Sequence, residues 1–494
     1  MKNKLNYKSI VVGLGILCGL GLTSCEDYLD KAPLGELTSE NFFKDELQAT
    51  QAVNAIYAHL RSFNVHVFSY IGITDIASDD ADKGSVPGDA GFLQDINDFT
   101  FDANNTAVNG IWSGYFQGIF RANQVITNVP EIDMDEDLKT RLIGEARFLR
   151  AYFYFFLVRT YGDLPLIERP LNPDEYTQSR VSKEQIYQFI EEDFEFAAAN
   201  LPEKSEYPAS ELGRATAGAA KSFLAKAHLF QNEFQQAFDV AQEVIASGEY
   251  SLYPDYEAIF RREGEHSSES IFEVSTVALE AGGGGSQFNE VQGIRGNPNN
   301  GWGFNGPSDD LMAAYEENDP RLEATIINDG DTLPSGEVVS ADQNMAGNAR
   351  FSKKAWLPER PPSGFGNSGA NIRLFRYADL LLIAAEAANE LGNSSQALEY
   401  VNMVRERARQ GNEDILPDLT MTDQSALRDA IYHERRVELA MEQHRYFDLV
   451  RQGRAQEVFA ELGITWTPGK HEVYPVPQSE IDISGGSITQ NPGY

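Results

Sequence analysis

Wherever the apolar pattern runs long it has the period of a helix. Residues 110–126 (GIWSGYFQGIFRANQVI) place Trp112, Tyr115, Phe116 and Phe120 at i, i+3, i+4 and i+8, which predicts one apolar helical face with Trp112 in the core. Residues 136–166 hold five consecutive aromatics, Tyr152 to Phe156, and therefore have no polar face. A helix of that kind is expected to lie buried among others, and Gly162 and Pro165 end it. Two helical pairs follow, 214–230 with 233–250 and 376–392 with 394–409. In each, an alanine of the first helix is matched ten residues later in the second, Ala227 to Ala237 and Ala387 to Ala397. Small residues at such spacing let paired helices approach closely, as in tetratricopeptide-type helix-turn-helix repeats, here degenerate and with one pair displaced along the chain.

The displacement makes room for an insertion of different character, 262–375. Residues 269–277 (ESIFEVSTV) and 324–333 (ATIINDGDTL) read as short strands. Gly282 to Gly285 form a flexible run, while 295–308 and 356–369 are turn-rich loops carrying aromatics. The expected fold is mainly α, a tetratricopeptide-like scaffold with a large loop-rich insertion containing short strands. Its expected divisions are a leader over 1–24, a first helical part over 25–261, the insertion over 262–375 and a closing helical part over 376–494.

The leader has its own pattern. Lys2, Lys4 and Lys8 precede an apolar run to Leu22, and Thr23-Ser24-Cys25 follows. The run is too short to span a bilayer, which takes about 20 residues. A basic start, an apolar middle and small residues before a cysteine make a secretory signal resembling a lipobox. Cleavage would leave Cys25 as the acylated first residue. Cys18 is the only other cysteine and lies inside the leader, so the processed chain can form no internal disulfide and Cys25 reads as an anchor. Glu26 and Asp27 after it look like the surface-export tag of some Gram-negative lipoproteins.

Charge narrows the functions further. The chain carries a net charge of −35, or −38 once the three leader lysines are removed. Such a surface argues against nucleic acid and against polybasic attachment to anionic lipid, leaving acyl chains to hold the membrane. Strong catalytic motifs are missing. The seven histidines form no H-E-x-x-H, Leu138 stands where a calcium loop opened by Asp133, Asp135 and Asp137 would need glycine, and the glycine run is not followed by Gly-Lys-Ser/Thr. No metal or cofactor is expected, and the three aspartates read better as acids opening a helix.

Aromatics in polar loops are the stronger lead. Sugar rings present apolar C–H faces that stack on aromatic planes, and their hydroxyls need polar groups at the rim. Trp302, Phe304 and Asn305 in GWGFNG, Trp356 and Phe365 around the proline-rich turn, and Phe92 with Asp95 in GFLQD supply both kinds and are the candidate glycan-binding residues.

Several segments occur together and in order: the lipobox, EARFLRAYFYFFLVRTYGDLPL, GWGFNGPSDDLMAAYEENDPRL, RYADLLLIAAEAANELG with VNMVRERAR, HERRVELAMEQHRYFDLVRQG and the terminal VYPVPQSEIDISGGSITQNPGY. Together they resemble the SusD/RagB family of outer-membrane nutrient-binding lipoproteins. The resemblance implies four tetratricopeptide-like units and a loop-built glycan site. It also implies a lipid-anchored position on the extracellular side of the outer membrane, beside a SusC-type TonB-dependent transporter to which captured oligosaccharide is delivered. Glu434 to Arg436 and Arg445 to Asp448 are read as scaffold, with Arg and Glu at helical spacing pairing to fix helix packing. A glycosidase, or a lid for a non-glycan nutrient such as peptide, are the alternatives; binding without catalysis is the expectation.

Overall fold

A computed structural model of the chain describes residues 42–279, 283–298, 300–358 and 367–494. The chain divides into Met1–Lys44 and Asp45–Tyr494. In the first unit Phe42 and Phe43 meet edge to face at 5.2 Å. Cys25 and the whole leader lie outside the described residues.

The second unit is a stack of long helices: α1 Glu46–Leu60, α2 Thr106–Asn128, α3 Glu136–Tyr161, α4 Lys183–Asn200, α5 Ala217–Phe230, α6 Phe234–Ser247, α7 Tyr377–Glu390, α8 Ser394–Ala408 and α9 Gln424–Leu439. Each of α1 to α8 packs on the next, and α9 closes against α7. Thus α6 and α7 are neighbours although the insertion separates them in sequence, and the repeat array runs on as if uninterrupted. Both alanine-matched pairs use the same turn. Glu233 N–H donates to the His228 carbonyl and Asn393 N–H to the Ala388 carbonyl, with Asn232 and Gly392 in the left-handed region at φ 60° and 79°. Ala227, Ala237, Ala387 and Ala397 are fully buried, as close helix approach requires.

The aromatic run of α3 is buried over its whole length. Phe153 presses on α2 where Gly118 leaves no side chain; a Cβ there would lie 2.5 Å from the Phe153 ring. Asp135 accepts from Leu138 N–H at 2.9 Å as the N-cap of α3, with Glu136 and Asp137 in its first turn. On α2, Trp112 and Tyr115 are buried but Phe120 is 53% exposed, so the apolar face is narrower than its spacing suggested.

Short strands tie the insertion to the helices. β2 Ser270–Val274 pairs antiparallel with β6 Ile372–Arg376, zipping its two ends together beside α5, where Phe272 and Phe375 both meet Phe223. β1 Ala81–Gly84, from the segment between α1 and α2, pairs with β3 Phe304–Pro307 inside the insertion. β4 Ile326–Asn328 pairs with β5 Arg350–Ser352.

Between helices and insertion runs a buried ionic lattice. Arg376 donates to Glu442, Glu438 and Glu269, while Arg407 donates to Glu269 and Glu438. Lys354 holds Glu442 at 2.7 Å, and Arg321 joins Glu434 and Glu438. Arg435 bridges Asp379 and Asp448, and Arg445 grips Asp79 bidentately at 2.8 and 2.7 Å. The motifs do pair to fix packing; Asp448 also accepts from Arg451 at i+3 on its own helix, at 2.8 Å, but most of the partners come from other elements. Burial alone would raise the Glu438 carboxyl; Arg407, Arg376 and Arg321 outweigh it and hold it at about 2. Such lattices specify which elements meet, because leaving any one charge unpaired is costly.

Candidate functional site

The β1–β3 ladder decides the site. It lays Gly84 opposite Phe304, so the loop after β1 and the GWGFNG loop share one edge. Their aromatics converge on Phe68, from a short helix after α1. Phe92, Trp302 and Phe304 all meet the Phe68 ring edge to face, at centroid distances of 5.7, 5.9 and 4.8 Å. Phe63 extends the group at 5.3 Å. Phe68 and Phe304 are buried and form its floor, Phe92 and Trp302 are half-buried, and Phe63 is exposed. The result is an aromatic platform with open ring surface at its rim.

Polar groups lock the platform and edge it. Lys83 is buried and donates through Nζ to the Val86 and Asp89 carbonyls, each at 3.0 Å, which fixes the loop leading to Phe92. Arg295 then crosses from the insertion: its Nη1 donates to Ser85 Oγ at 3.0 Å, to Asp89 Oδ2 at 3.0 Å and to the Trp302 carbonyl at 3.3 Å. One guanidinium therefore holds both loops in register. Gly84 allows their close approach; at φ 69° its Cβ would fall 2.3 Å from the Gly303 carbonyl oxygen, which accepts from Ser85 N–H. Asp95 lies one turn beyond Phe92 on the same short helix and is exposed.

Asn305 has a different part. It is fully buried at φ 61°, and its amide donates to Asp75 Oδ2 at 2.9 Å and Gln292 Oε1 at 2.8 Å. It supports the loop from beneath and presents no atom to the surface. Burial pushes the Asp75 carboxyl up to about 6, against the lowering effect of its bonds from Asn305 and Gln443. Asp75 is itself buried and accepts from Asn305 and Gln443, so it braces the loop from beneath.

Trp356 is not part of this group. It is buried among Ile294, Ile327, Leu333, Val339 and Phe351, with the Arg261 guanidinium 5.4 Å over its ring. It contributes to the wall of a separate cavity of about 1090 Å³, open to solvent between the loop before β2, the turn after β5 and the C-terminal end of α8. Phe365 lies outside the described residues. Among the described residues, Glu191, His228 and Glu233 bring three potential metal ligands within 4.8 Å of one another, but His228 Nδ1 already bonds Glu233 at 2.7 Å.

Four of the sequence candidates thus lie together, Phe92, Asp95, Trp302 and Phe304, with Asn305 below them. Sequence reasoning missed Phe63, Phe68 and Arg295. The pair Phe63 and Phe68 in SFNVHVFSY was visible as aromatics in a polar context, but nothing local tied it to residues more than 200 positions away. Arg295 carried no pattern at all.

Comparison with known proteins agrees with this architecture. Residues 268–494 match the family model described as SusD family, and residues 27–229 match one described as starch-binding associating with outer membrane. SusD-like protein P2 of Formosa agariphila is 31% identical, over 96% of this chain and 98% of that one. SusD-like protein P25 of the same organism is 27% identical over 93% and 94%. Among solved structures, a laminarin binding SusD-like protein superposes with a TM-score of 0.77 at 30% identity, covering 91% of this chain and all of the other. Surface glycan-binding protein A from Bacteroides fluxus gives 0.78 at 27% identity, over 91% and 100%. With both halves of the chain matched and a relative aligned along nearly its whole length, the chain belongs to the SusD family of starch- and glycan-binding proteins.

Proposed function

We propose that this protein is a lipid-anchored receptor on the cell surface that captures an oligosaccharide on the Phe68–Phe92–Trp302 platform and delivers it to a SusC-like TonB-dependent transporter. The carrying observation is the convergence of half-buried Phe92 and Trp302, from two distant loops, on the Phe68 ring. Edge-to-face packing leaves apolar ring surface for sugar C–H faces, and Asp95 offers a carboxylate acceptor beside it for hydroxyls. Because the laminarin binding neighbour is 30% identical over most of the chain, β-1,3-linked glucans are the first ligands to try.

The mechanism is capture without chemistry. Anchoring through Cys25 would keep the receptor at the transporter mouth, where confinement raises effective concentration and modest intrinsic affinity suffices. The lipobox-like leader ending at Cys25 supports attachment through acyl chains, and no helix among the described residues is long and apolar enough to cross a membrane. Calorimetric titration with laminarin and other neutral glucans tests the reading. Trp302→Ala should weaken binding by about 30-fold, which corresponds to roughly 2 kcal/mol for an aromatic anchor. Unchanged affinity in Trp302→Ala, or new reducing ends released from the glycan, would overturn it.

A further inference from the structure

The cavity walled in part by Trp356 has features the aromatic platform does not explain. Its volume of about 1090 Å³ is at the upper end of what small-molecule sites enclose. Four prolines stand in its wall, Pro254, Pro334 and Pro358 from separate loops and Pro320 from the first turn of the short helix Pro320–Thr325. Around them are exposed polar side chains. Arg262, Glu323, Glu406 and Gln410 are exposed at the cavity, and among the described residues none of their side chains makes a hydrogen bond or ion pair. Arg261, Lys353 and Arg407 beside them are, by contrast, already engaged by Glu257, Glu269 and Glu438.

This lining selects a ligand class. An anion would meet more free carboxylates than guanidinium groups. A small cation would have no use for a wide, proline-walled space. A polyhydroxylated ligand fits both features, since each hydroxyl donates to a carboxylate or amide oxygen and accepts from a guanidinium or amide N–H, while ring C–H faces lie on proline. Rigid walls also reduce the ordering cost of binding.

We propose that this cavity is a second saccharide-binding site, which holds another stretch of the same neutral glycan chain. It rests on the glycan-binding reading given above, adding a second point of attachment. Two sites on one chain would retain a polymer far better than either alone.

The test uses ligand-observed saturation-transfer NMR on the full chain at millimolar concentrations of laminarihexaose, cellohexaose, maltohexaose, mannohexaose and xylohexaose. The proteins compared are the wild type, Trp302→Ala, the triple variant that adds Arg262→Ala and Gln410→Ala, and Trp302→Ala with Glu406→Trp to fill the cavity. Circular dichroism and melting temperature confirm that each is folded. The expected result is that Trp302→Ala keeps a saccharide response, which the cavity substitutions then reduce at least tenfold. If Trp302→Ala alone abolishes every response, the second site is refuted and the platform stands. If a response survives both kinds of cavity change, the cavity is refuted as its source. If the wild type responds to none of the five sugars, both readings fall.

Discussion

Replacing Arg376 by Met keeps an unbranched side chain as far as the position of Nε and removes the charged guanidinium from the middle of the buried lattice. The guanidinium donates from Nε to Glu442 at 2.6 Å, from Nη2 to Glu442 at 2.8 Å and from Nη1 to Glu438 at 3.0 Å and to Glu269. In its absence Glu442 keeps only Lys354, while Glu438 and Glu269 must share Arg407, with Arg321 also on Glu438 at 3.2 Å. Breaking a buried pair by removing one partner costs about 3–5 kcal/mol. With roughly 450 residues in the folded unit, an unfolding entropy near 2.1 cal/mol/K per residue makes each kcal/mol worth ~1 °C in melting temperature. Arg376→Met should therefore melt ~3–5 °C lower at pH 7.5.

The pH dependence gives a sharper readout. In the wild type Glu438 is held at about 2, and Glu442 is held below the usual carboxylate range because Arg376 and Lys354 outweigh burial. Both folded values lie below the unfolded value of about 4.3, so their stabilisation is complete above that pH and is lost as pH falls toward 2. In the variant, burial with less opposing charge raises the Glu442 carboxyl. A group raised in the folded state gains relative stability on acidification, so the gap to wild type should narrow between pH 7.5 and pH 5. Thermal melts followed by circular dichroism at both pH values measure this. A gap under 1 °C at pH 7.5, or one that widens at pH 5, would show that Arg376 does not hold the lattice as described.

Other consequences are as direct. Gly84→Ala forces a left-handed residue to carry a Cβ 2.3 Å from the Gly303 carbonyl, a strain of about 1–3 kcal/mol, and should lower glycan affinity in calorimetry by displacing the loop that holds Trp302. Gly118→Ala inserts a methyl against the Phe153 ring and should destabilise the α2–α3 contact by about 1–3 kcal/mol, read as a lower melting temperature with glycan affinity per folded molecule unchanged. Cys25→Ala should leave the circular dichroism spectrum and glycan binding intact and shift the protein out of the outer-membrane fraction on sucrose gradients. Retention there would refute the anchor.

By itself the sequence determined the helices. Their apolar period, the buried aromatic run of α3, the acids opening it and the matched alanines of α5 to α8 are properties of neighbouring residues, and burial followed from them. It also identified which loops carry aromatics in polar surroundings. Tertiary structure decided which of those aromatics share a surface. Phe92 and Trp302 both reach the Phe68 ring because β1 pairs with β3 and because Arg295, held to the nearby Trp302 carbonyl, also bonds Ser85 and Asp89 about 200 positions away. The same distance effect moved Asn305 under the platform and Trp356 to another cavity, although both stood in loops that looked alike in sequence. Local pattern reports how a residue treats its own turn of chain. Which distant loop covers it is settled by backbone pairing and buried charge, and neither leaves a periodic trace in the sequence.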